Sequence, residues 1–590
     1  MKLAIGKFSR NFWPYLLVIL AIILPWFLKP GYLFFTDNVW GPNINLDWRN
    51  SWFLLNLIIK ALSFIFSVAF LEKLFISGIL ALILLGGRIF VKNILEYYYP
   101  NDNNNSIAKN PVVSSGLVFV LSLFALFNPF VYDRALYGQF GVLAAYGFLL
   151  FVLAYLFKAG RTLNFKNLYP AAIFTALTLM FSVHFIFFLI PFYLLFLIGL
   201  YFKRQEIKAG NLGHKLFLAA LAAIFIVIIL NANWLYALIS GASPTANFIA
   251  QGISAQDLSA FATSGKTPGE TLSNVLLMSG FWGKDQFRYF DLTAFNGWQR
   301  SFIFLLPLIF YGVFLSFKKR RRSEKIFSAG LLIIFALAVI LAVGIKSPLT
   351  SSLTLFLYNH LPFYKGLREP QKWVAVIIPI YLFYLSLGAV RLKATKFISE
   401  NRILSAVILA AIIIMGAPSL VWGFNRQVRP TPYPSDWTEV NNLLVNRSTQ
   451  SSGCSDRILF LPWHMYLSFN WVGKIIANPA AAYFTCPVLS GTDMEWGGIY
   501  DNSQDSEGQA VASWLAEKGD FQAPLFSSTS TAVFIEGPNL VKGSGIVVNS
   551  FRYIILAKDV DYNSYAWLNN LSYLKLLLET KTLLVYEIKS

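Results

Sequence analysis

The sequence predicts an α-helical, multi-pass membrane protein with an α/β domain after its last membrane span. Of the 590 residues, 56% are hydrophobic and only 13% are charged, and the mean hydropathy is +0.57. Apolar segments follow one another as far as residue 421, where the composition becomes more polar. A soluble chain could not bury so much apolar surface, so the membrane class follows from composition alone.

Eleven apolar segments are expected to be membrane helices. They are residues 12–28, 74–90, 112–127, 141–157, 169–182, 187–202, 216–238, 302–317, 326–343, 373–390 and 403–421. Several fall short of the ~20 residues of a full crossing. The fifth and sixth belong to one apolar run, which only His184 and Pro191 interrupt. No small-residue cleavage site follows the first segment, so we expect it to be retained as a signal anchor.

Lys and Arg predict the orientation, because loops that stay in the cytoplasm are enriched in both. Basic residues precede the first segment and follow every even-numbered one, as in the run 318–322. The amino terminus is therefore expected in the cytoplasm and the carboxyl terminus outside the cell membrane. The net charge of +19 lies mostly in these loops, where anionic membrane lipids explain it and no nucleic-acid partner is implied.

Residues 52–70 are apolar but are predicted to lie in the membrane interface. Asn56, Lys60, Ser63 and Ser67 recur at spacings of four, three and four, which places one polar stripe on a helix. Such a helix suits the outer interface, within an outer loop of residues 29–73. Counting it as a crossing would place all later basic loops outside.

The chain is predicted to divide into a membrane part, residues 1–423, and an extracytoplasmic α/β domain, residues 424–590. Expected strands are 458–461, 553–557 and 583–588, and expected helices are 510–517 and 565–578. Both cysteines, Cys454 and Cys486, fall in this domain, where an oxidising compartment favours a disulfide. Two free thiols are the alternative, and no spacing of Cys or His supports a metal site.

No motif of a soluble enzyme is present, so candidate chemistry is sought at the outer membrane face. Asp37, in FFTDNVWGP after the first segment, is the first acid of the chain. A carboxylate there could take a proton from an acceptor hydroxyl, and partial burial would raise its pKa. The alternative is an aspartate that caps the backbone amides of residues 38–40.

The stretch LPFYKGLREPQKW places three cations in an outer loop, against the general distribution of charge. Lys365, Arg368 and Lys372 could bind a phosphate, for which Arg provides a bidentate fork and Lys a point charge. Alternatively they extend toward the interface with Glu369 as their local partner.

A third candidate lies in FNPFVYDRALYGQF, after the third segment. Asp133 suits the start of a helix, whereas Arg134 and Gln139 could line a polar ligand cleft. The outer loop 241–300 is long enough to be a lid or a binding element. Its aromatic residues, Trp282 among them, suit stacking on sugar rings, or equally anchoring in the membrane interface.

These features together resemble the GT-C superfamily of polytopic glycosyltransferases, most closely the bacterial arabinofuranosyltransferase-like and YfhO-like membrane proteins. The matching features are Asp37 after the first segment, the amphipathic segment 52–70, RALYGQF, LREPQKW, and a tail that begins PYPSDW and continues RILFLPW. The resemblance covers nearly the whole chain.

The resemblance implies transfer of a sugar from a polyprenyl-phosphate donor to a glycan or lipid acceptor in cell-envelope assembly. It implicates Asp37 as the general base, and Arg368, Lys372 and Arg134 as partners of the lipid phosphate, with Lys365 beside them. Asp133, Gln139, Glu369 and Trp282 become candidate substrate-binding residues. Paired first-loop acids would hold a divalent metal, but the next acid, Asp47, lies ten residues on, so no metal ligands are assigned.

Two other functions stay open from the sequence. A transporter or flippase for lipid-linked glycans would need polar residues deep in the spans or inverted repeats. Glu72 and Lys73 lie near a span edge, and no repeat is evident. A catalytically silent envelope assembly protein would share every feature named above.

Overall fold

The computed structural model describes residues 2–99, 114–243, 246, 249, 255–286, 289, 298–318, 320–392, 401–448, 454–492, 494–496, 499–501, 506–516, 518 and 551–589. Within these residues, the regular secondary structure as far as Asn425 is helical, and the first strand begins at Arg457. The predicted combination of apolar membrane helices and a C-terminal sheet domain is confirmed.

Seven described helices are long and apolar enough to cross a membrane. They are Val68–Tyr98, Phe140–Thr162, Val183–Phe202, Gly213–Leu230, Arg300–Phe317, Arg322–Lys346 and Pro370–Arg391. Two bent pairs raise the number to nine, namely Ser115–Leu126 with Pro129–Tyr137 and Ile403–Ile414 with Pro418–Asn425. The remaining two predicted segments coincide with the shorter apolar helices Phe12–Phe27 and Leu168–Phe181.

Shorter helices connect and flank these spans. The α-helices not yet named are Phe53–Leu62, Arg204–Ala209, Ala232–Ile239, Ala255–Ala260, Pro268–Leu276, Pro348–His360, Val421–Asn425, Ser435–Arg447, Ala480–Tyr483 and Ser506–Ala516. The 3₁₀ turns are Phe165–Asn167, Val183–Phe185, Trp282–Gln286, Trp298–Leu305, Gly344–Lys346, Tyr364–Leu367, Pro370–Trp373, Pro418–Leu420 and Tyr562–Asn570. The helix Lys2–Phe27 contains the first apolar segment.

The bend after Leu126 depends on one asparagine. Asn128 Nδ2 donates to the carbonyls of Phe124 and Ala125, both at 3.0 Å, and so satisfies the end of one helix. Its Oδ1 accepts from the Val131 N–H at 3.0 Å and caps the start of the next. The two helices meet at 50°. This bend sets the direction of the helix Pro129–Tyr137, which contains Asp133 and Arg134.

The interfacial helix predicted for residues 52–70 is wrong in its extent. The helix covers only Phe53–Leu62, and the span Val68–Tyr98 begins six residues later. Ser63 Oγ donates to the Lys60 carbonyl at 2.7 Å, and Ser67 Oγ accepts from the Phe70 N–H at 3.3 Å. The polar stripe therefore combines one helix end with the cap of the next helix, because Ser competes well for backbone groups at helix termini.

The last long span is the centre of the bundle. In the helix Pro370–Arg391, all residues of the most apolar stretch are buried inside the protein. In the helix Gly213–Leu230, only 6% of the corresponding residues are buried. Close packing explains the burial: a Cβ added at Gly312 or Gly388 would collide with the backbone of Tyr384 or Leu308. Glycine lets the helices Leu306–Phe317 and Val374–Leu392 approach backbone to backbone.

Among the described residues of the C-terminal domain, nine strands form the sheets. They are β1 Arg457–Leu461, β2 Tyr466–Phe469, β3 Lys474–Ala477, β4 Val488–Ser490, β5 Met494–Trp496, β6 Ile499–Asp501, β7 Phe551–Ala557, β8 Leu574–Glu579 and β9 Leu583–Ile588. The main sheet has the order β4-β1-β7-β9-β8, in which β4, β1 and β7 run parallel and the other pairs are antiparallel. Hairpins β2-β3 and β5-β6 stand apart.

Both faces of the main sheet are covered. Alternate residues of β1 point to opposite faces, so Ile458 and Phe460 pack with Trp437 while Leu459 and Leu461 pack with Trp514. Cys454 and Cys486 are joined as a disulfide, with Cα atoms 4.8 Å apart, just before β1 and β4.

The helix predicted for residues 565–578 is wrong in its second half. The 3₁₀ turn Tyr562–Asn570 ends before β8, which takes up Leu574–Glu579. Pairing with β9 explains this, since Leu574 lies opposite Ile588 and Glu579 opposite Leu584. Cross-strand partners override the local preference of a Leu-rich segment.

The loop after the first helix fastens the membrane part to the sheet domain. Tyr32 and Thr431 exchange backbone hydrogen bonds of 2.9 Å, and the Ala477 N–H donates to the Thr36 carbonyl at 2.8 Å. Phe34 belongs to the core of the sheet domain. The two parts therefore share a core as well as a surface.

Candidate functional site

Asp37 lies where the first loop meets the helix Pro129–Tyr137. Its N–H donates to the Tyr137 carbonyl at 2.8 Å. The next residue, Gly138, has φ +93°, and a Cβ there would lie 2.6 Å from the Cβ of Phe35. A left-handed glycine with no side chain is what lets the two segments touch.

The Asp37 carboxylate is exposed and is held from two sides. Gln139 Nε2 donates to Oδ2 at 3.1 Å, and the Tyr466 hydroxyl donates to Oδ1 at 2.8 Å. Gln139 belongs to the membrane part and Tyr466 to β2. The partial burial expected for this acid is not found, because its side chain lies at the rim of the junction.

Glu369 is the centre of a buried cluster directly beneath. It accepts from Arg134, from Lys372 Nζ at 3.0 Å and from the Trp282 indole N–H at 3.0 Å. Burial would raise the pKa of Glu369, but Lys372 and Arg134 lower it further than burial raises it. Glu369 is therefore ionised at neutral pH and is the counter-charge that both cations share.

Gln139 connects Asp37 to this cluster. Its Oε1 accepts from Arg134, and its Nε2, which donates to Asp37, also lies 3.5 Å from Glu369 Oε2. One amide thus spans the exposed acid and the buried pair. A change of charge in the cluster would be felt at Asp37 through this side chain.

Arg134 is fully buried and is arranged as an internal support. Besides Gln139 and Glu369, it donates to Gln371 Oε1 at 2.6 Å, and its guanidinium lies 4.5 Å from the centre of the Phe281 ring. No part of this side chain is exposed. Contact with a lipid phosphate, which the resemblance implied, would require the cluster to open.

The other predicted cations lie apart from the cluster. Arg368 Nη1 pairs with Asp257 Oδ1 at 3.0 Å, and its guanidinium lies 4.3 Å from the centre of the Phe261 ring. Lys365 is half-buried, with Nζ 5.9 Å from the centre of the Tyr358 ring. Of the four predicted phosphate ligands, these two are the more exposed.

Two predicted substrate-binding residues are enclosed in the structure. Trp282 is 8% exposed and packs among Tyr137, Phe261 and Phe281. Asp133 is 5% exposed and accepts from the Tyr289 hydroxyl at 3.3 Å. Neither presents a free face to a sugar, since hydrogen bonding and packing occupy both.

A cleft lined by aromatic and amide side chains begins two residues after Asp37. It encloses about 510 Å³, counting its open side. Trp40, Trp52, Asn43 and Asn56 contribute to its wall. Rings and amides in one concave surface suit a ligand with apolar faces and hydroxyl edges.

No metal site is evident in the described part of the chain, where no three His, Cys, Asp or Glu side chains come together. Asp47, the other acid of the first loop, forms a bidentate pair with Arg49 at 2.9 and 2.9 Å. The divalent metal implied by the resemblance thus has no assigned ligands.

No local feature of the sequence indicates that Tyr466 is a partner of Asp37. It lies 429 residues away in the chain, within a short strand of ordinary composition. Gln371, within the stretch LREPQKW, likewise has no local feature that predicts its contact with Arg134.

Comparisons with known proteins find similarity among solved structures. No protein-family model matches the chain, and no curated protein matches it. Among solved structures, it is similar to the archaeal oligosaccharyltransferase AglB from Archaeoglobus fulgidus, in complex with an inhibitory peptide and a dolichol-phosphate. The TM-score is 0.32 at 12% identity, over 93% of this chain and 65% of that one. At this level the similarity identifies neither substrate nor residue roles.

Proposed function

We propose that this chain is a membrane glycosyltransferase that transfers a sugar from a polyprenyl-phosphate donor to a glycan or lipid acceptor. One observation carries the proposal. An exposed carboxylate, Asp37, is held by Gln139 and Tyr466 at the junction of the two parts, next to a cluster rich in cations. A base at the rim and positive charge beside it are what this transfer requires.

In the proposed step, Asp37 takes the proton of the acceptor hydroxyl as its oxygen bonds to the anomeric carbon of the donor sugar. The bond from that carbon to the phosphate oxygen breaks, and polyprenyl phosphate leaves with the electron pair. Nearby cations then stabilise the negative charge that develops on the phosphate. Atoms and charge balance without a cofactor.

The cations take two different roles in this proposal. Arg368, with 17% of its side chain exposed, and Lys365 contact the phosphate. Arg134 and Lys372 hold Glu369 and are positioning residues, because both are buried against that carboxylate. The sugar or acceptor occupies the cleft between Trp40 and Trp52.

The proposed arrangement in the membrane follows the distribution of Lys and Arg. Eleven crossings place the amino terminus in the cytoplasm and the domain of residues 424–590 outside, on the same side as Asp37. Contact of Tyr466 with Asp37 supports this arrangement, because both must then lie on one side. The site would act on envelope glycans or lipids.

The test measures sugar release from labelled polyprenyl-phosphate sugars by the purified full chain in nanodiscs. Asp37→Asn is expected to lower turnover roughly 10²- to 10⁴-fold, which is the usual contribution of a general base. Asp47→Asn is the matched control, because it removes an acid of the same loop that pairs only locally with Arg49. Its turnover should equal that of the wild type.

Each result decides a separate part of the proposal. If Asp37→Asn retains turnover, the assignment of Asp37 as the base is wrong, but the proposal that the protein is a transferase stands. No turnover by the wild type with any donor and acceptor pair would remove the transferase, and a glycan-transport assay in proteoliposomes would then distinguish a flippase from a silent assembly protein.

A further inference from the structure

A second cavity lies at the other end of the helix that begins beside the candidate site. Phe140–Thr162 starts one residue after Gln139, and Arg161 is its last residue but one. At 1.5 Å per residue, roughly 30 Å separates the two ends. The cavity is therefore distinct from the site around Asp37.

The walls of this cavity are apolar. It encloses about 720 Å³, counting its open side, between the spans that contain Leu153, Phe192, Leu331 and Phe383. From Leu153 to Arg161 it extends roughly 12 Å along the helix axis. An apolar slot of this length, open on one side, accommodates the end of an acyl or isoprenoid chain.

Two cations close one end of the cavity. Arg161 and Lys203 both line it, and the Lys203 Nζ donates to the Arg161 carbonyl at 3.1 Å. Ser323, at the start of the span Arg322–Lys346, completes this end. The positive end of that helix dipole adds to the two side-chain charges.

No carboxylate among the described residues forms a salt bridge with Arg161 or Lys203. The Arg161 guanidinium lies 4.7 Å from the ring centres of Tyr97 and Phe327, and it donates to the Tyr98 hydroxyl at 3.2 Å. Glu324, the acid of the same helix end, accepts instead from the Tyr97 hydroxyl at 2.7 Å and from the Arg321 N–H. Arg161 thus contacts rings directly, and Glu324 lies across the Tyr97 hydroxyl from it.

We propose that this cavity binds one anionic membrane lipid, with its phosphate at Arg161 and Lys203 and its apolar chain between the spans. An apolar wall with cations at one end is complementary to an amphiphile that has a phosphate headgroup and an apolar chain. Basic pockets between membrane helices bind such headgroups. A polar metabolite would leave the apolar wall in contact with water. The proposal is independent of the proposed transferase activity.

One glycine gives the means to fill the cavity without touching a charge. A Cβ added at Gly199 would meet no atom within 4 Å, although this residue lines the cavity. Gly199→Leu should therefore occupy the space meant for the chain. Gly78→Leu is the matched control, because Gly78 is an exposed glycine of another span with equally open surroundings.

The experiment is native mass spectrometry of the purified full-length protein in detergent, with added phosphatidylglycerol, farnesyl phosphate or farnesol. We expect the wild type to retain one phosphate-bearing lipid and to retain farnesol roughly tenfold less, since farnesol lacks the charge. Whichever phosphate lipid is retained better identifies a glycerophospholipid or an isoprenoid phosphate as the occupant. Equal retention of farnesol and farnesyl phosphate would overturn the proposal.

Variants then assign the bound lipid to this cavity. Arg161→Ala with Lys203→Ala, and separately Gly199→Leu, should lower retention roughly tenfold. Lys158→Ala, at an exposed lysine of the same helix, and Gly78→Leu should retain lipid as the wild type does. Retention unchanged in Gly199→Leu, with the protein folded and monodisperse, would show that the lipid binds elsewhere.

Discussion

The two ends of the bundle use buried cations in opposite ways. Beneath Asp37, Arg134 and Lys372 share Glu369, so one of their two positive charges is neutralised within the protein. At the other end, Arg161 rests on aromatic rings and leads into an apolar cavity. An arginine paired with a carboxylate organises a site, whereas one held by rings keeps its charge for a ligand.

The largest effect is expected from removing the shared carboxylate. Glu369→Gln leaves Arg134 and Lys372 buried without their counter-charge, which should lower the free energy of unfolding by about 3–5 kcal/mol. Unfolding in mixed micelles measures the change. As the control, Glu579→Gln breaks an exposed ion pair with Lys558 and should lower the free energy of unfolding by under about 1 kcal/mol. Equal losses in the two variants would contradict the special role of the buried carboxylate.

Contact between the two parts is expected to affect turnover more than stability. Tyr466→Phe removes the hydroxyl that donates to Asp37, and hydrogen bonds to charged groups contribute about 1.5–3 kcal/mol. Sugar transfer should therefore fall by roughly ten- to hundredfold. The free energy of unfolding should change less, because water can replace the hydroxyl at this exposed carboxylate. Tyr586→Phe removes a hydroxyl that donates to Asn569, elsewhere in the sheet domain; a comparable loss of turnover there would mean that Tyr466 acts through general destabilisation.

Replacing the ring-held arginine should cost less than replacing the paired one. Arg161→Met removes cation–π contacts and one hydrogen bond, and it leaves no salt-bridged acid without its partner. The free energy of unfolding should therefore fall by about 1 kcal/mol. Arg134→Met removes one of the two cations of Glu369 and should cost about 3 kcal/mol or more. The two variants are compared by unfolding in the same detergent, and the reverse order would refute the distinction between the ends.

The smallest effect is expected in the sheet domain, away from both ends. Burial would raise the pKa of Asp436, but hydrogen bonds from Thr582 and Thr580 lower it below its ordinary value. The stabilisation is therefore present above about pH 4, the unfolded value, and is lost as the pH falls through the lower folded value. Asp436→Asn should cost about 0.5 kcal/mol at pH 7, since solvent screens this half-buried group.

That difference should vanish when unfolding is measured below the folded pKa. Asp561→Asn, in a contact between exposed groups of the same domain, serves as the comparison because it lacks the Thr hydrogen bonds. A cost for Asp436→Asn that stays constant with pH would indicate a steric origin.

Local sequence predicted the helices well because hydropathy is a property of each segment. Every predicted apolar segment overlaps a helix, yet the bend at Asn128 and the interruption at Ser63 depend on side chains that cap backbone groups. Strand β8 could not be recognised locally, since its conformation depends on pairing with β9.

The candidate site was predicted as separate residues and not as an arrangement. Asp37, Arg134, Gln139 and Glu369 were each identified from unusual polarity near the ends of apolar segments. That Glu369 neutralises Arg134, 235 residues away, depends on how the turn before Pro370–Trp373 packs against the helix Pro129–Tyr137. Long-range packing of this kind leaves no mark in a local pattern.

Phe34 has a consequence for how the protein is made. This residue emerges from the ribosome with the first loop, but the core that it completes comes from residues after Trp437. The sheet domain therefore cannot finish folding until the amino-terminal loop and the carboxyl-terminal strands are both on the same side of the membrane. The junction around Asp37 therefore cannot form before the sheet domain has been synthesised, since Tyr466 of that domain donates to the Asp37 carboxylate.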